Sequence, residues 1–238
     1  SFDKGSIYYD ENSSTQQEIS KNLLNFFFDE IKEYDESFSL LELGSGTGFC
    51  SKKISEKTSL ERIHLLDISH NMIKKSQKRF KDQNVMFFKK DFDFFDNFED
   101  YNLIISSMSL HWSKDFLKLI KKILDSIKKN SIFLLSFPNS RSFKNLKVRH
   151  RKLTNDFPND KSMKVILNNS RYYFKMKRMV HEQEYQNIIF FFQSLRKIGA
   201  NTSNNIFNIS DLYSLRRDKD RVKVKFDISY FFVRKIRD

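Results

Sequence analysis

Residues 40–48 read LLELGSGTG, with Gly44, Gly46 and Gly48 at every second position after an apolar run. Glycines so placed let the chain turn tightly and bring backbone N–H groups and the next helix close to a ligand. A dinucleotide fingerprint would put its last glycine at residue 49, but that residue is Phe49. The shift weakens a pyrophosphate reading, and the acids nearby weaken it further. Asp67 follows the loop by about twenty residues, the spacing at which a strand-end carboxylate accepts ribose hydroxyls. Asp91 closes the next strand-like segment and can accept from an exocyclic amine, with Phe92 beside it for the adenine face. Glu42, just before the loop, adds a negative charge that suits a cationic ligand better than a phosphate. Acids around a glycine loop thus favour an adenosine carrying positive charge, as S-adenosyl-L-methionine does.

The elements that must position these residues alternate. Apolar residues Ile19, Leu23, Leu24, Phe27 and Ile31 share one face of a helix expected over 14–34. FSLLELG is a buried strand, and the loop leads into a helix over about 47–57. RIHLLD forms a second strand ending at Asp67, with Ser69 as N-cap of the helix after it. NVMFFKKD, YNLIISS and SIFLLSF complete five strands, with a helix over 114–129 before the last. Strands alternating with helices indicate a parallel sheet covered on both faces. Residues 139–170 are polar and basic, without strand signal. Alternation returns in YYFKMKRMV, a helix is expected over 184–197, and Val222 to Tyr230 show the clearest period of two. No linker marks a boundary, so a single domain is expected: 1–35 an N-terminal helical lid, 36–138 the cofactor core, 139–170 an insertion, 171–238 the C-terminal part.

The chain has 238 residues, a formal net charge of +13 and a single cysteine, Cys50. One cysteine excludes an internal disulfide and a cysteine-built zinc site. No apolar run reaches the roughly 20 residues of a membrane span, and the first residues lack a signal-peptide core. A cytoplasmic monomer is expected, with no metal and no membrane partner. The positive charge attracts polyanions, though a genome rich in Lys, Asn, Ile and Phe codons would produce it equally.

The glycine loop with its strand-end acids resembles the class I S-adenosylmethionine-dependent methyltransferases. SFDKGSIYYDENSSTQQEISKNLL, SSMSLHW, RSFKNL and LRKIGAN, in that order, resemble the malonyl-acyl-carrier-protein O-methyltransferases of biotin synthesis. The resemblance implies an α/β Rossmann-like sheet of seven mostly parallel strands, ordered 3-2-1-4-5-7-6, with helices on both faces and an insertion between strands 5 and 6. It implies that Tyr9 and Gln16 close over the cofactor. Glu42, Gly44, Ser45, Gly46 and Gly48 would lie under its methionine moiety, with Ser107 at the end of strand 4. Asp67 would meet ribose, Asp91 and Phe92 adenine, and Ile68 and Met72 are further cofactor-binding candidates. His111, Trp112, Arg141, Ser142, Arg149 and Arg171 are the substrate-side candidates, with Arg151 a further arginine of the insertion and Tyr9, His111, Trp112 and Arg141 the catalytic ones.

There are departures: Arg141 replaces a loop glycine, His111 a frequent glutamine, and Asn130 alone makes the turn before strand 5. The implied reaction gives the malonyl methyl ester that enters pimeloyl and biotin synthesis. A malonyl carboxylate ionises well below neutrality and needs no general base, so the enzyme's work is alignment and exclusion of water. An acidic acyl carrier protein is the implied partner, steered by basic residues such as KNLKVRHRK, residues 144–152. The alternatives are another small-molecule carboxyl or amine methyltransferase, and an RNA methyltransferase. The latter is disfavoured, since SSMSLHW lacks the proline-rich signature of base-amine enzymes and no RNA-binding motif is present.

Overall fold

The computed structural model describes residues 14–32, 37–81, 84–144, 146, 156–197 and 220–237. Tyr9, Arg149 and Arg151 lie outside these residues, as does most of the basic run.

The first helix, α1 (Ser14–Glu30), buries Ile19, Leu23, Leu24, Phe26 and Phe27 on one face. Each apolar side chain removed from water in this way contributes about 2 kcal/mol. Strand β1 (Phe38–Leu43) is buried at every position and runs through the glycine loop into the short α2 (Phe49–Ser55). Strand β2 (Leu60–Asp67) becomes buried only from Ile63 onward. Helix α3 (His70–Arg79) starts where the Ser69 side chain accepts from the Met72 N–H at 3.3 Å. Then come β3 (Val85–Lys89), β4 (Leu103–Ser107), α4 (Phe116–Ser126), β5 (Ile132–Pro138), α5 (Asp160–Leu167), β6 (Tyr172–Tyr185), α6 (Ile188–Lys197) and β7 (Val222–Lys235).

The strands form a seven-stranded sheet in the order β3-β2-β1-β4-β5-β7-β6, the order the resemblance implied. Pairing is parallel from β3 to β5, and β7 inserts antiparallel between β5 and β6. One face is covered by α1, α2 and α6, and the other by α4 and α5. The order reverses between β1 and β4, so a crevice opens at their carboxyl ends, where sheets of this kind bind ligands.

Two elements differ from expectation. The helix expected from 184 begins at Ile188, because β6 continues to Tyr185. β5 ends at Pro138, opposite Ile228, but β6 and β7 pair on from Val180↔Asp227 to Tyr185↔Val222. Backbone pairing in this ribbon overrides the apolar periodicity of 184–187. The first helix likewise ends at Glu30, short of 34.

Candidate active site

The three loop glycines have positive φ, at 62°, 53° and 74°, but different surroundings. A Cβ on Gly44 would stand 1.8 Å from Ser109 Oγ, and one on Gly48 would meet the Phe80 ring at 2.8 Å. A Cβ on Gly46 would find nothing within 4 Å. Two glycines therefore let protein pack on protein, and the middle one leaves open space for a ligand.

That space belongs to a solvent-open cleft of about 430 Å³, walled by Glu42, Gly44, Ser45, Gly46, Thr47, Phe49, Cys50 and Ser107 from the sheet side. Helix α1 closes it with Gln16, Gln17 and Ser20. Ser20 Oγ lies 2.9 Å from Ser107 Oγ, which lies 3.1 Å from Ser136 Oγ, tying α1 to β4 and β5. Gln17 and Ser20 were not apparent from sequence; their place one and four residues after Gln16 on a helix was the available signal.

Asp67 is buried, and both its oxygens hold backbone: Oδ2 accepts from the Gly46 N–H and Oδ1 from the Ser69 N–H, each at 2.8 Å. It thus fixes the loop's curvature, a role its spacing did not reveal. A carboxylate oxygen can accept more than one hydrogen bond, so holding the loop does not by itself prevent the group from receiving a hydroxyl. Glu42 Oε2 accepts from the Ser51 N–H at 3.0 Å and from the Ser51 hydroxyl. Burial pushes the Glu42 carboxyl up to about 7, although the Ser51 bonds and Arg79 favour its charged form. Cys50, buried beside it, has its thiol held well above the ordinary value by burial and by Glu42. It is therefore not a nucleophile at neutral pH.

At the end of β3, Asp91 Oδ1 accepts from the Asp93 N–H at 3.0 Å and caps a turn over Phe92–Phe94. The Phe92 ring edge lies 3.8 Å from the position of a Gly44 Cβ, so it faces the loop. Ile68 is exposed and Met72 buried at 2% exposure. Asp67, Ile68, Met72, Asp91 and Phe92 are not in the wall of the described cleft.

After β4 the chain turns at Met108, with φ of 55° and its N–H bonded to Ser136 O at 2.9 Å. A non-glycine residue in that region costs about 1 kcal/mol or more, and here it throws Leu110–Trp112 into a tight turn. The His111 ring lies against Trp112 at 4.9 Å and Phe157 at 5.8 Å. Phe157 in turn meets Phe143, which packs on Phe191 and Phe226. His111 Nδ1 is buried with no hydrogen-bond partner among the described residues, and burial lowers the imidazole to about 3. The ring is neutral at physiological pH.

Three substrate-side candidates serve other contacts. The Arg141 guanidinium reaches Asp160 Oδ2 at 2.6 Å and lies 3.5 Å from Asp227 Oδ2. Ser142 is fully buried, and its hydroxyl donates to Asp227 O and accepts from the Asp227 N–H, both at 2.9 Å. Arg178 grips the same carboxylate with two nitrogens, and Asn139 Nδ2 donates to it at 2.7 Å. Burial alone would raise the Asp227 carboxyl, but these donors together hold it below its usual value. Arg171 is misplaced for substrate: it precedes Tyr172, which pairs with Lys235 near the start of β5, at the end of the sheet opposite the cleft. There it faces Asp125 at 3.5 Å. Spacing could not show this, because β6 runs parallel to β5 and so begins at the far edge.

The family model described as a methyltransferase domain matches residues 12–189. A malonyl-[acyl-carrier protein] O-methyltransferase from Bacillus anthracis is 26% identical over 222 residues, covering 85% of this chain and 80% of that protein. A second enzyme of that name, from Ilyobacter polytropus, is 26% identical over 225 residues, covering 92% and 83%. Among solved structures, the N-methyltransferase NodS of Bradyrhizobium japonicum WM9, in complex with S-adenosyl-L-homocysteine, superposes with a TM-score of 0.57 at 13% identity, covering 93% and 87%.

The cleft fits the cofactor of these enzymes. Gly46 leaves its side of the loop open, Ser45 Oγ is buried with no partner among the described residues, and Glu42 supplies an acid on the same wall. An orphaned hydroxyl and an acid beside open space suit a polar, cationic ligand. The chain belongs to the methyltransferase-domain family, as a class I S-adenosylmethionine-dependent methyltransferase.

Proposed function

We propose that the methyl acceptor is the free carboxylate of a malonyl group carried on an acyl carrier protein, in the cytoplasm. The observation that carries this reading is the likeness to malonyl-[acyl-carrier protein] O-methyltransferases over most of both chains, and the surroundings of His111 agree with it. With its imidazole lowered to about 3, the histidine that follows β4 is too weak a base to activate a hydroxyl or an ammonium. A carboxylate needs no such help, being ionised already. The bound cofactor supplies an electrophilic methyl on a sulfonium sulfur. Transfer to a carboxylate oxygen would break the carbon–sulfur bond and leave the bonding pair on sulfur, so it would ask no proton acceptor of the protein.

What remains for the protein is alignment and exclusion of water. The α1 wall with Gln16, Gln17 and Ser20 covers the cofactor side. On the acceptor side, the ring cluster of His111, Phe157 and Phe143 gives a dry approach. A neutral imidazole N–H can orient a carboxylate without neutralising it, whereas a tight arginine pair would blunt its attack. The relatives named above support the substrate class, and the net charge of +13 suits an acidic carrier.

The test is mass spectrometry of malonyl-acyl carrier protein after incubation with the chain and S-adenosylmethionine. Malonyl-coenzyme A, free malonate, small amines and bulk tRNA serve as parallel acceptors. A methyl ester on the carrier-bound malonyl group is expected. Transfer to an amine or to tRNA alone would refute the reading and favour the rival class.

A further inference from the structure

Glu42 is the acid that the cofactor's hydroxyls leave unexplained. It stands at the carboxyl end of β1, 3% exposed, on the wall that Gly44, Ser45 and Gly46 continue. Its partners, the Ser51 N–H and hydroxyl and the Cys50 thiol, are neutral donors that can serve it in either protonation state. The charged groups facing it are Arg79 of α3, which favours ionisation, and Asp67 of β2, which opposes it. Cys50 of α2 lies next to it as a protonated thiol. From α1 and β4 the cleft brings Gln16, Gln17, Ser20 and Ser107, none of which titrates.

Among the described residues no cation forms an ion pair with this acid, and the ligand that the cleft takes changes charge during the reaction. The methyl donor carries a sulfonium in addition to its amino-acid charges, and the product thioether is neutral at sulfur. We propose that Glu42 is a proton-linked counter-charge that distinguishes the sulfonium cofactor from its spent product. It releases its proton to solvent when the cation binds. It recovers one from solvent once methyl transfer has left the sulfur neutral, so the product lacks the charge attraction that held the sulfonium. The carboxyl value of about 7 puts this exchange within the working pH range. The inference rests on family membership and not on the acceptor.

Isothermal titration of the intact chain tests it, with S-adenosylmethionine and S-adenosylhomocysteine as separate ligands in buffers of different ionisation enthalpy. At neutral pH about half a proton should leave with the cofactor and almost none with the product. From about pH 6 to about pH 8 the cofactor Kd should tighten about tenfold, and the product Kd should stay flat. In Glu42→Gln, whose amide oxygen can still accept from Ser51, proton release and the pH slope should both vanish. Equal release by both ligands, or release that persists in the variant, would overturn the proposal. Should the variant fail to fold, the comparison of the two ligands on the native chain decides alone. Loss of malonyl transfer with the proton signature intact would instead count against the acceptor assignment.

Discussion

The glycine-loop cleft and the ion cluster beside β7 are built on different physics. On the cofactor side, backbone does most of the work: three glycines at positive φ and the Gly46 N–H held by Asp67. Those contacts come from the short span between β1 and β2. Where β5, β6, β7 and the insertion meet, Arg141, Asp160, Arg178 and Asp227 come from separate segments, with Asp227 separated from Arg178 by 49 residues and from Asn139 by 88. A ligand of constant shape can be held by a local motif. The ion cluster exists only because long-range packing brings its members together.

The sharpest break of that comparison is Gly44→Ala against Gly46→Ala. The first drives a Cβ into Ser109 and is expected to cost more than about 3 kcal/mol, seen as loss of cooperative thermal unfolding. The second adds only backbone strain of about 1–2 kcal/mol yet fills the ligand's space, so the folded variant should bind cofactor at least about tenfold more weakly by titration calorimetry. Equal destabilisation by both would show that the middle glycine is also a packing glycine.

Asp227→Asn tests the other side. It leaves Arg141 and Arg178 facing a neutral group and should cost about 3 kcal/mol in chemical unfolding. The cofactor Kd should hold while the acceptor KM rises, since the damage lies at β7 and the insertion.

Next in size is the pH dependence of the apoprotein. Glu42 is raised in the fold from 4.5 to about 7, so ionising it costs folding free energy. Its penalty is absent below the unfolded value, grows as pH rises through the interval, and reaches at most about 3 kcal/mol above it. His111 acts oppositely, being lowered from 6.5 to about 3. It erodes stability as pH falls below 6.5, by less than its shift suggests because the ring is partly exposed. Unfolding midpoints across pH for the native chain, Glu42→Gln and His111→Phe separate the two slopes. The smallest effect concerns ionic strength. Raising salt should lower kcat/KM for a carrier-bound acceptor about fivefold and leave cofactor affinity nearly unchanged.

Much was legible in the residues themselves. The apolar spacing of Ile19, Leu23 and Phe27, the strand of residues 38–43 and the Ser69 cap are local signals, and the structure places them as read. The glycine spacing located the cleft, and Glu42, Ser45, Gln16 and Ser107 lie on its wall. Local patterns carry such information because helix periodicity, caps and positive φ depend on a few neighbouring residues. Tertiary structure alone decided the rest. It set which glycine faces open space, gave Asp67 to the loop's backbone, and drew Arg141 into a buried ion cluster. It also put Arg171 at the wrong end of the sheet and carried β6 past its expected end. Each of those outcomes depends on strand direction and register between segments far apart in the chain, and no spacing along one segment contains the position of the other.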